Sequence, residues 1–482
     1  MKIFRLTPFL GMLLMLALPA YASHSNSVPQ DDRVFPLGDS GAFDSTPLTD
    51  VLKEGIDSKG AIYRYEVPVN WNGDLVMYAH GFRGCFADDG GLEPLRVDNP
   101  PLREYYLLRG YAWAASSYSK NCYDVNSGVK STNRLARIFS REVGKPNRTL
   151  ITGFSMGGHV TGAAIEMFPN VRCPEGRRGR TCRRFAAILG KFSGGIRYDG
   201  AAPMCGVMGD TELFDYFGDF SYGAEAIAGA VNPLVQSQFP APEDFATTTL
   251  PLVIGTLFDD FPDTLTSQGD KLKDLVRQLS GGERPIFDQA FPFFQTLLFS
   301  FSGSDGSVDG VVSGNIYDNR TRHYQLDGDP AVNADEQSLN DSILRIRRDR
   351  GVNPPRFLRL QRVPEITGRI SIPVISTHTL GDLFVPFSMQ QIYAREVAQR
   401  HRSDLLVSRA TRAIGHCEFS PEELVRTFDD LVLWVNEGVK PTGDDVLEAA
   451  TVASPFFGCQ FTEGTTGTTP EVLRSGICSQ AP

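Results

Sequence analysis

Residues Thr149-Leu150-Ile151-Thr152-Gly153-Phe154-Ser155-Met156-Gly157-Gly158 carry the reading of the whole chain. An apolar, β-branched run (LIT) meets a G-x-S-x-G pattern, and a helix-forming segment, 156–167, follows directly. Strand, tight turn and helix in that order lift a serine hydroxyl out of a sheet and aim a helix N-terminus at it. The first N–H groups of a helix lack intrahelical partners and carry partial positive charge, which favours a developing oxyanion. Glycines on either side let backbone approach where a Cβ would clash. G-x-S-x-G alone arises often by chance. The strand before it and the helix after it single out Ser155 as a nucleophile.

Outward from this turn, short apolar runs alternate with amphipathic ones. Strands are expected at 63–69, 74–79, 111–116, 149–153, 372–377 and 405–410, and helices at 104–109, 131–143, 156–167, 388–401 and 421–436. This alternation implies an α/β fold, a mostly parallel sheet with helices on both faces. With the serine turn it reads as an α/β-hydrolase fold carrying a helical cap insertion. Residues 23–60 are polar, with little periodicity, and are expected to wrap the surface. The hydrolase core is expected at 23–205 and 361–445, split by the cap at 206–360. That insertion lacks clear buried-strand runs and is rich in phenylalanine (Phe287, Phe291, Phe293, Phe294, Phe299, Phe301). Most of these rings are expected to pack the cap's own core. A Thr/Gly-rich tail, 446–482, closes the chain.

A serine nucleophile needs an imidazole base and a carboxylate that fixes its tautomer. In this fold the order is Ser, Asp or Glu, then His. His24 and His80 precede Ser155, His159 lies along the helix that follows it, His323 falls in the cap, and His401 ends a charged helix. His378 is expected in the same strand-end loop as the candidate acid. His416 remains, in Ile414-Gly415-His416-Cys417 after the last expected strand. Asp382, in Gly381-Asp382-Leu383-Phe384-Val385-Pro386, follows the preceding strand and is the expected acid; Asp404 precedes a strand and sits at the wrong sheet edge. The oxyanion hole is expected at the N–H groups of Met156 and of Phe82, in His80-Gly81-Phe82-Arg83-Gly84.

Composition bounds the rest. With 482 residues and a net charge of −10, the chain is long enough for a large α/β domain plus an insertion, and a nucleic-acid partner is disfavoured. Lys2 and Arg5, an apolar run at 9–18 and Ala20-Tyr21-Ala22 read as a secretory signal over 1–22, which predicts a secreted or periplasmic protein. No later segment has the apolar length of a membrane span. Eight cysteines suit an oxidising compartment, with expected pairs Cys85–Cys122, Cys173–Cys182, Cys205–Cys417 and Cys459–Cys478. Cys205–Cys417 would tether the loop of His416. Asp305-Gly306-Ser307-Val308-Asp309-Gly310 starts like a calcium loop, but Ile316 stands where an EF-hand needs Glu. The arginines 172, 177, 178, 180, 183 and 184 read as a solvated loop.

Several stretches resemble secreted bacterial α/β-hydrolases: Val67-Pro68-Val69-Asn70-Trp71-Asn72-Gly73-Asp74-Leu75, Tyr78-Ala79-His80-Gly81-Phe82, Gly153-Phe154-Ser155-Met156-Gly157-Gly158 and Gly415-His416-Cys417-Glu418-Phe419. The resemblance implies Ser155, Asp382 and His416 as triad and an esterase- or peptidase-like activity. The His416-Cys417 pair is also similar to the tannase and feruloyl-esterase family, in which a cysteine before the nucleophile bridges to the one after the histidine. Here Phe154 precedes Ser155. The expected reaction is acyl transfer from a small or polymeric ester to water, with no cofactor or metal. Two alternatives are a peptidase related to prolyl oligopeptidase and a non-catalytic binding module. The 132 residues between Ser23 and Ser155 leave no room for a propeller ahead of the serine.

Overall fold

Strand β3 (Leu75–Ala79) is buried along its entire length, as are β2 (Ile62–Pro68), β4 (Ala112–Ser116), β6 (Gly200–Met204), β9 (Val374–Thr379) and β10 (Leu406–Thr411). Strands buried on both faces need helices on both sides. In the computed structural model, which describes residues 33–168, 196–354 and 360–480, these strands join β1 (Thr49–Ile56) and β5 (Thr149–Phe154) in one sheet. The order is β1-β2-β4-β3-β5-β6-β9-β10. β1–β2 and β2–β4 pair antiparallel; the pairs from β4–β3 through β9–β10 are parallel. The chain has the α/β-hydrolase fold. The expected signal segment, the pair Cys173–Cys182 and the arginine group lie outside the described residues. No helix among the described residues is long and apolar enough to cross a membrane.

Parallel strands place their C-terminal ends on one edge. That edge carries His80 after β3, Ser155 after β5 and Cys205 after β6. It also carries the loops holding Asp382 and His416 after β9 and β10. Helix α2 (Val125–Glu142) and helix α3 (Met156–Met167) pack together, while α1 (Arg103–Leu108) meets α9 (Pro421–Glu437) through Tyr106–Phe428, 4.7 Å between ring centres.

Two expectations are corrected. The segment 23–60 does not merely wrap the surface, because Thr49–Ile56 is an edge strand. Thr49, Leu52 and Gly55 are partly shielded and the rest of the strand is exposed, so the alternation of a half-buried strand never develops. Helix α2 starts six residues before the expected 131, at Val125. Asp124 caps it, accepting the N–H of Ser127 at 2.9 Å. The polar start and Gly128 hid this turn. Gly128 is there because a Cβ would stand 2.6 Å from Val160 of the neighbouring helix.

Between β6 and β9 lies the insertion: α4 (Glu212–Gly229), α5 (Thr249–Leu257), α6 (Ser267–Leu279), α7 (Phe287–Ser300) and α8 (Ala334–Ser342). One small hairpin, β7 (Phe258–Asp260) with β8 (Thr264–Leu265), interrupts the helices. Phe287, Phe291, Phe294 and Phe299 are buried in its core, and Phe293 is exposed. Glu225 on α4 is buried beside Ser221, and burial pushes its carboxyl up to about 7. Hydrogen bonds from Ser237 and Ser221 offset only part of that burial cost.

The folded chain therefore keeps a proton that the unfolded chain releases near pH ~4.3. Stability from this group is full below that pH and is lost as pH rises through about 7. Glu225→Gln is expected to flatten the fall between pH 5 and 8. The fall has a slope of at most ~1.4 kcal/mol per pH unit from one group. Urea unfolding of both proteins at three pH values measures it.

Candidate active site

Ser155 sits between β5 and α3 with φ 58° and ψ −125°, and its N–H donates to the carbonyl of Met204 at 3.1 Å. A non-glycine residue there costs of order 1–3 kcal/mol, so its surroundings must enforce it. They do so by close approach. A Cβ on Gly153 would stand 2.1 Å from the carbonyl oxygen of Gly157. One on Gly157 would stand 2.1 Å from that of Ala79 and 2.6 Å from that of His80. Gly157→Ala is expected to push α3 off the end of β3. It should cost about 1–3 kcal/mol, as overpacking does, and thermal unfolding reads this directly.

The loop after β3 lies against the serine: a Cβ on Gly81 would be 3.4 Å from that of Ser155. His80 anchors this loop. Its ring stacks on Tyr118 at 3.9 Å and its Nδ1–H donates to the Gly81 carbonyl at 2.7 Å. Among the described residues, the N–H groups of Phe82 and Met156 have no hydrogen-bond partner. Met156 follows Ser155 in the chain, and Phe82 follows Gly81 in the loop that lies against it.

His416 and Asp382 meet. The imidazole Nδ1–H donates to Asp382 Oδ2 at 2.5 Å. The other carboxylate oxygen accepts the N–H groups of Phe384 (3.0 Å) and Val385 (2.9 Å), which fixes the acid from behind. Asp382 is fully buried, whereas the His416 side chain is 19% exposed. The ring is held in one tautomer, with Nε2 free to accept a proton.

Cys205 and Cys417 form a disulfide, with 5.2 Å between their Cα atoms. The path from serine to histidine is therefore short: Ser155 bonds Met204, Cys205 follows, and its bridge reaches Cys417, next to His416. His416 Nε2 stands 3.4 Å from Cys417 Sγ. Among the described residues, no hydrogen bond joins it to Ser155 Oγ. The expected pairs Cys85–Cys122 and Cys459–Cys478 are also present.

Among the described residues no other histidine hydrogen-bonds Asp382, although His378 Nε2 stands 3.8 Å from its Oδ2. His159 is buried, accepting from Tyr123 and donating to the Pro364 carbonyl, and burial pushes it down to about 4. His378 lies inside β9, not in the loop, and donates to the Val385 carbonyl at 2.8 Å. Burial lowers its pKa. His323 and His401 are exposed, and Asp404 lies in a turn before the N-terminal end of β10.

Two features escaped the sequence. Glu418 bonds the Gly415 N–H (2.7 Å) and the Thr469 hydroxyl (2.7 Å) and N–H (2.6 Å), so the tail buttresses the His416 loop. The Thr-rich composition of the tail was the sole hint. The second is an aromatic wall. Phe384 meets the His416 ring edge-on at 5.1 Å and stacks with Phe301 (5.8 Å) and Phe217 (6.1 Å) of the insertion. Phe217 and Phe301 stack on each other at 4.3 Å. All three rings are partly exposed. They come from three distant segments, so no periodicity links them.

No family model matches the chain. It is 23% identical to an o-phthalyl amidase of Xanthobacter agilis over 441 residues, covering 82% of this chain and 90% of that protein. Similar solved structures include feruloyl esterase B from Aspergillus oryzae (14% identity, TM-score 0.41, 81% of this chain and 80% of that one). Another is an esterase from the same organism (13%, TM-score 0.42, 80% and 78%). A third is a rice cell wall degrading esterase from Xanthomonas oryzae (14%, TM-score 0.34, 79% and 87%).

Proposed function

We propose that the chain is an exported serine hydrolase that cleaves carboxylic esters through an acyl-enzyme on Ser155. The observation that carries this reading is the strained serine turn tethered by Cys205–Cys417 to the hydrogen-bonded pair His416–Asp382. Ser155 Oγ attacks the carbonyl carbon. His416 Nε2 takes the hydroxyl proton, and Asp382 stabilises the imidazolium. The N–H groups of Phe82 and Met156 bind the oxyanion. Collapse of the tetrahedral intermediate expels the alcohol, which takes the proton back from His416, and water repeats the cycle on the acyl-enzyme. In a substrate complex, His416 Nε2 has to turn from the sulfur to Ser155 Oγ. Such bonds commonly tighten on substrate binding. Three disulfides among the described residues support an oxidising compartment.

The wall of Phe384, Phe301 and Phe217 supports an aryl group on the acyl side, since stacked rings offer a flat apolar surface. The amidase relative favours a second reading, hydrolysis of aryl amides at the same serine. Turnover of p-nitrophenyl benzoate, p-nitrophenyl hexanoate, benzoic anilide and a peptide anilide separates these readings. Benzoate is expected to exceed hexanoate in kcat/KM by about tenfold or more, the scale of a few lost ring contacts. Phe301→Leu is expected to narrow that ratio. Equal rates for both esters would remove the aryl assignment, and a peptide anilide preferred over both would make the protein a peptidase.

A further inference from the structure

We infer that the Cys205–Cys417 bridge is a latent zinc site: reduction turns it into a Cys2His ligand set that captures Zn2+ together with His416. The two sulfurs and a ring nitrogen of His416 lie within 4.8 Å of one another, the one such convergence of three metal-ligating side chains among the described residues. Thiolate sulfur and imidazole nitrogen are ligands that Zn2+ prefers.

The geometry needs little change. Two thiolates at about 2.3 Å on a tetrahedral ion sit about 3.8 Å apart. The Cα atoms are already 5.2 Å apart, so side-chain rotation suffices once the S–S bond is gone. Both backbones are held. The Cys205 N–H donates to the Thr377 carbonyl at 2.8 Å, and the loop of Cys417 is fixed by Glu418. The imidazole is preset as well. Its Nδ1–H is bound to Asp382 at 2.5 Å, which leaves the Nε2 lone pair, 3.4 Å from Cys417 Sγ, to face the ion. A carboxylate behind a histidine in this way fixes and strengthens it as a zinc ligand. In the oxidised protein neither sulfur is a thiolate and no such set exists.

The chemistry balances with a phosphine as reductant. Phosphine, water and the disulfide give phosphine oxide and two thiols; phosphorus is oxidised and the sulfurs are reduced. Zn2+ then replaces the two thiol protons, accepts the Nε2 lone pair and keeps a water as fourth ligand. Cys417 is partly exposed, so a small reductant reaches it. The effect on turnover rests on the proposed role of His416 as base; the metal site itself does not.

The test uses the full chain, oxidised or reduced with tris(carboxyethyl)phosphine, exposed to ZnCl2, desalted and assayed for zinc. The oxidised protein is expected to retain none at this site. The reduced protein is expected to retain about one ion more than reduced Cys205→Ser/Cys417→Ser and than reduced His416→Gln, which keeps both thiols and guards against a misfolded double variant. Equal zinc in the reduced wild type and reduced His416→Gln overturns the proposal. Fluorophosphonate labelling of the zinc-loaded protein gives a separate reading. Labelling that falls at least tenfold and returns with EDTA supports capture of the base. Zinc bound with labelling unchanged upholds the site and refutes His416 as the base.

Discussion

Ser155→Ala is expected to lower kcat on an activated ester by about 10⁶-fold, the scale seen when a serine nucleophile is removed from an intact triad. The physical reason is that the covalent step disappears while binding and oxyanion stabilisation remain. A residual rate above that in water is therefore expected. The substitution should leave the fold intact. Ser155 Oγ makes no hydrogen bond among the described residues, so its removal leaves no buried partner unsatisfied. Alanine must still adopt φ 58°, a conformation serine already bears at similar cost. Loss of fluorophosphonate labelling with an unchanged unfolding midpoint is the expected pair of results. A Ser155→Ala protein with more than a few per cent of wild-type turnover would move the nucleophile elsewhere.

Asp382→Asn carries the second largest effect, a loss of about 10⁴-fold in kcat. Asp382 divides its two oxygens. Oδ1 accepts the N–H groups of Phe384 and Val385, and Oδ2 accepts the imidazole Nδ1–H. An asparagine keeps its carbonyl oxygen toward the two backbone donors and turns its NH2 toward the histidine. The ring must then accept at Nδ1, which puts its proton on Nε2, where it cannot take one from serine. Geometry survives and the tautomer is wrong. Asp382→Ala differs, because it strands two buried N–H groups, each costing about 1–3 kcal/mol. Comparing the two variants by kcat and by chemical unfolding separates the roles. Asparagine should lose rate with little stability, and alanine should lose both. If Asp382→Asn kept wild-type kcat, the acid would have to be sought elsewhere.

The fold was legible because local and global signals agree. Apolar runs such as LVMYA and AWAAS, each followed by an amphipathic helix, already imply a covered parallel sheet. What failed locally failed for a stated reason: β1 is mostly exposed and its burial has no two-residue period, and the first turn of α2 carries the glycine its neighbour helix requires.

The sequence by itself determined the turn at Ser155, because the need for glycine at 153 and 157 is a contact between near neighbours and the adjoining strand end. It also narrowed the candidate acid and base to Asp382 and His416, because chain order along parallel strands dictates which loops share an edge. Only the tertiary structure decided the supports. The Cys205–Cys417 pair was one of many possible pairings until the folded chain brought the two α-carbons within 5.2 Å. Glu418 reaches Thr469 across 51 positions, and Phe217, Phe301 and Phe384 stack from separate segments. Contacts of that kind depend on how distant segments pack, and hydrophobic periodicity, which reports only a residue's own face, carries no record of them.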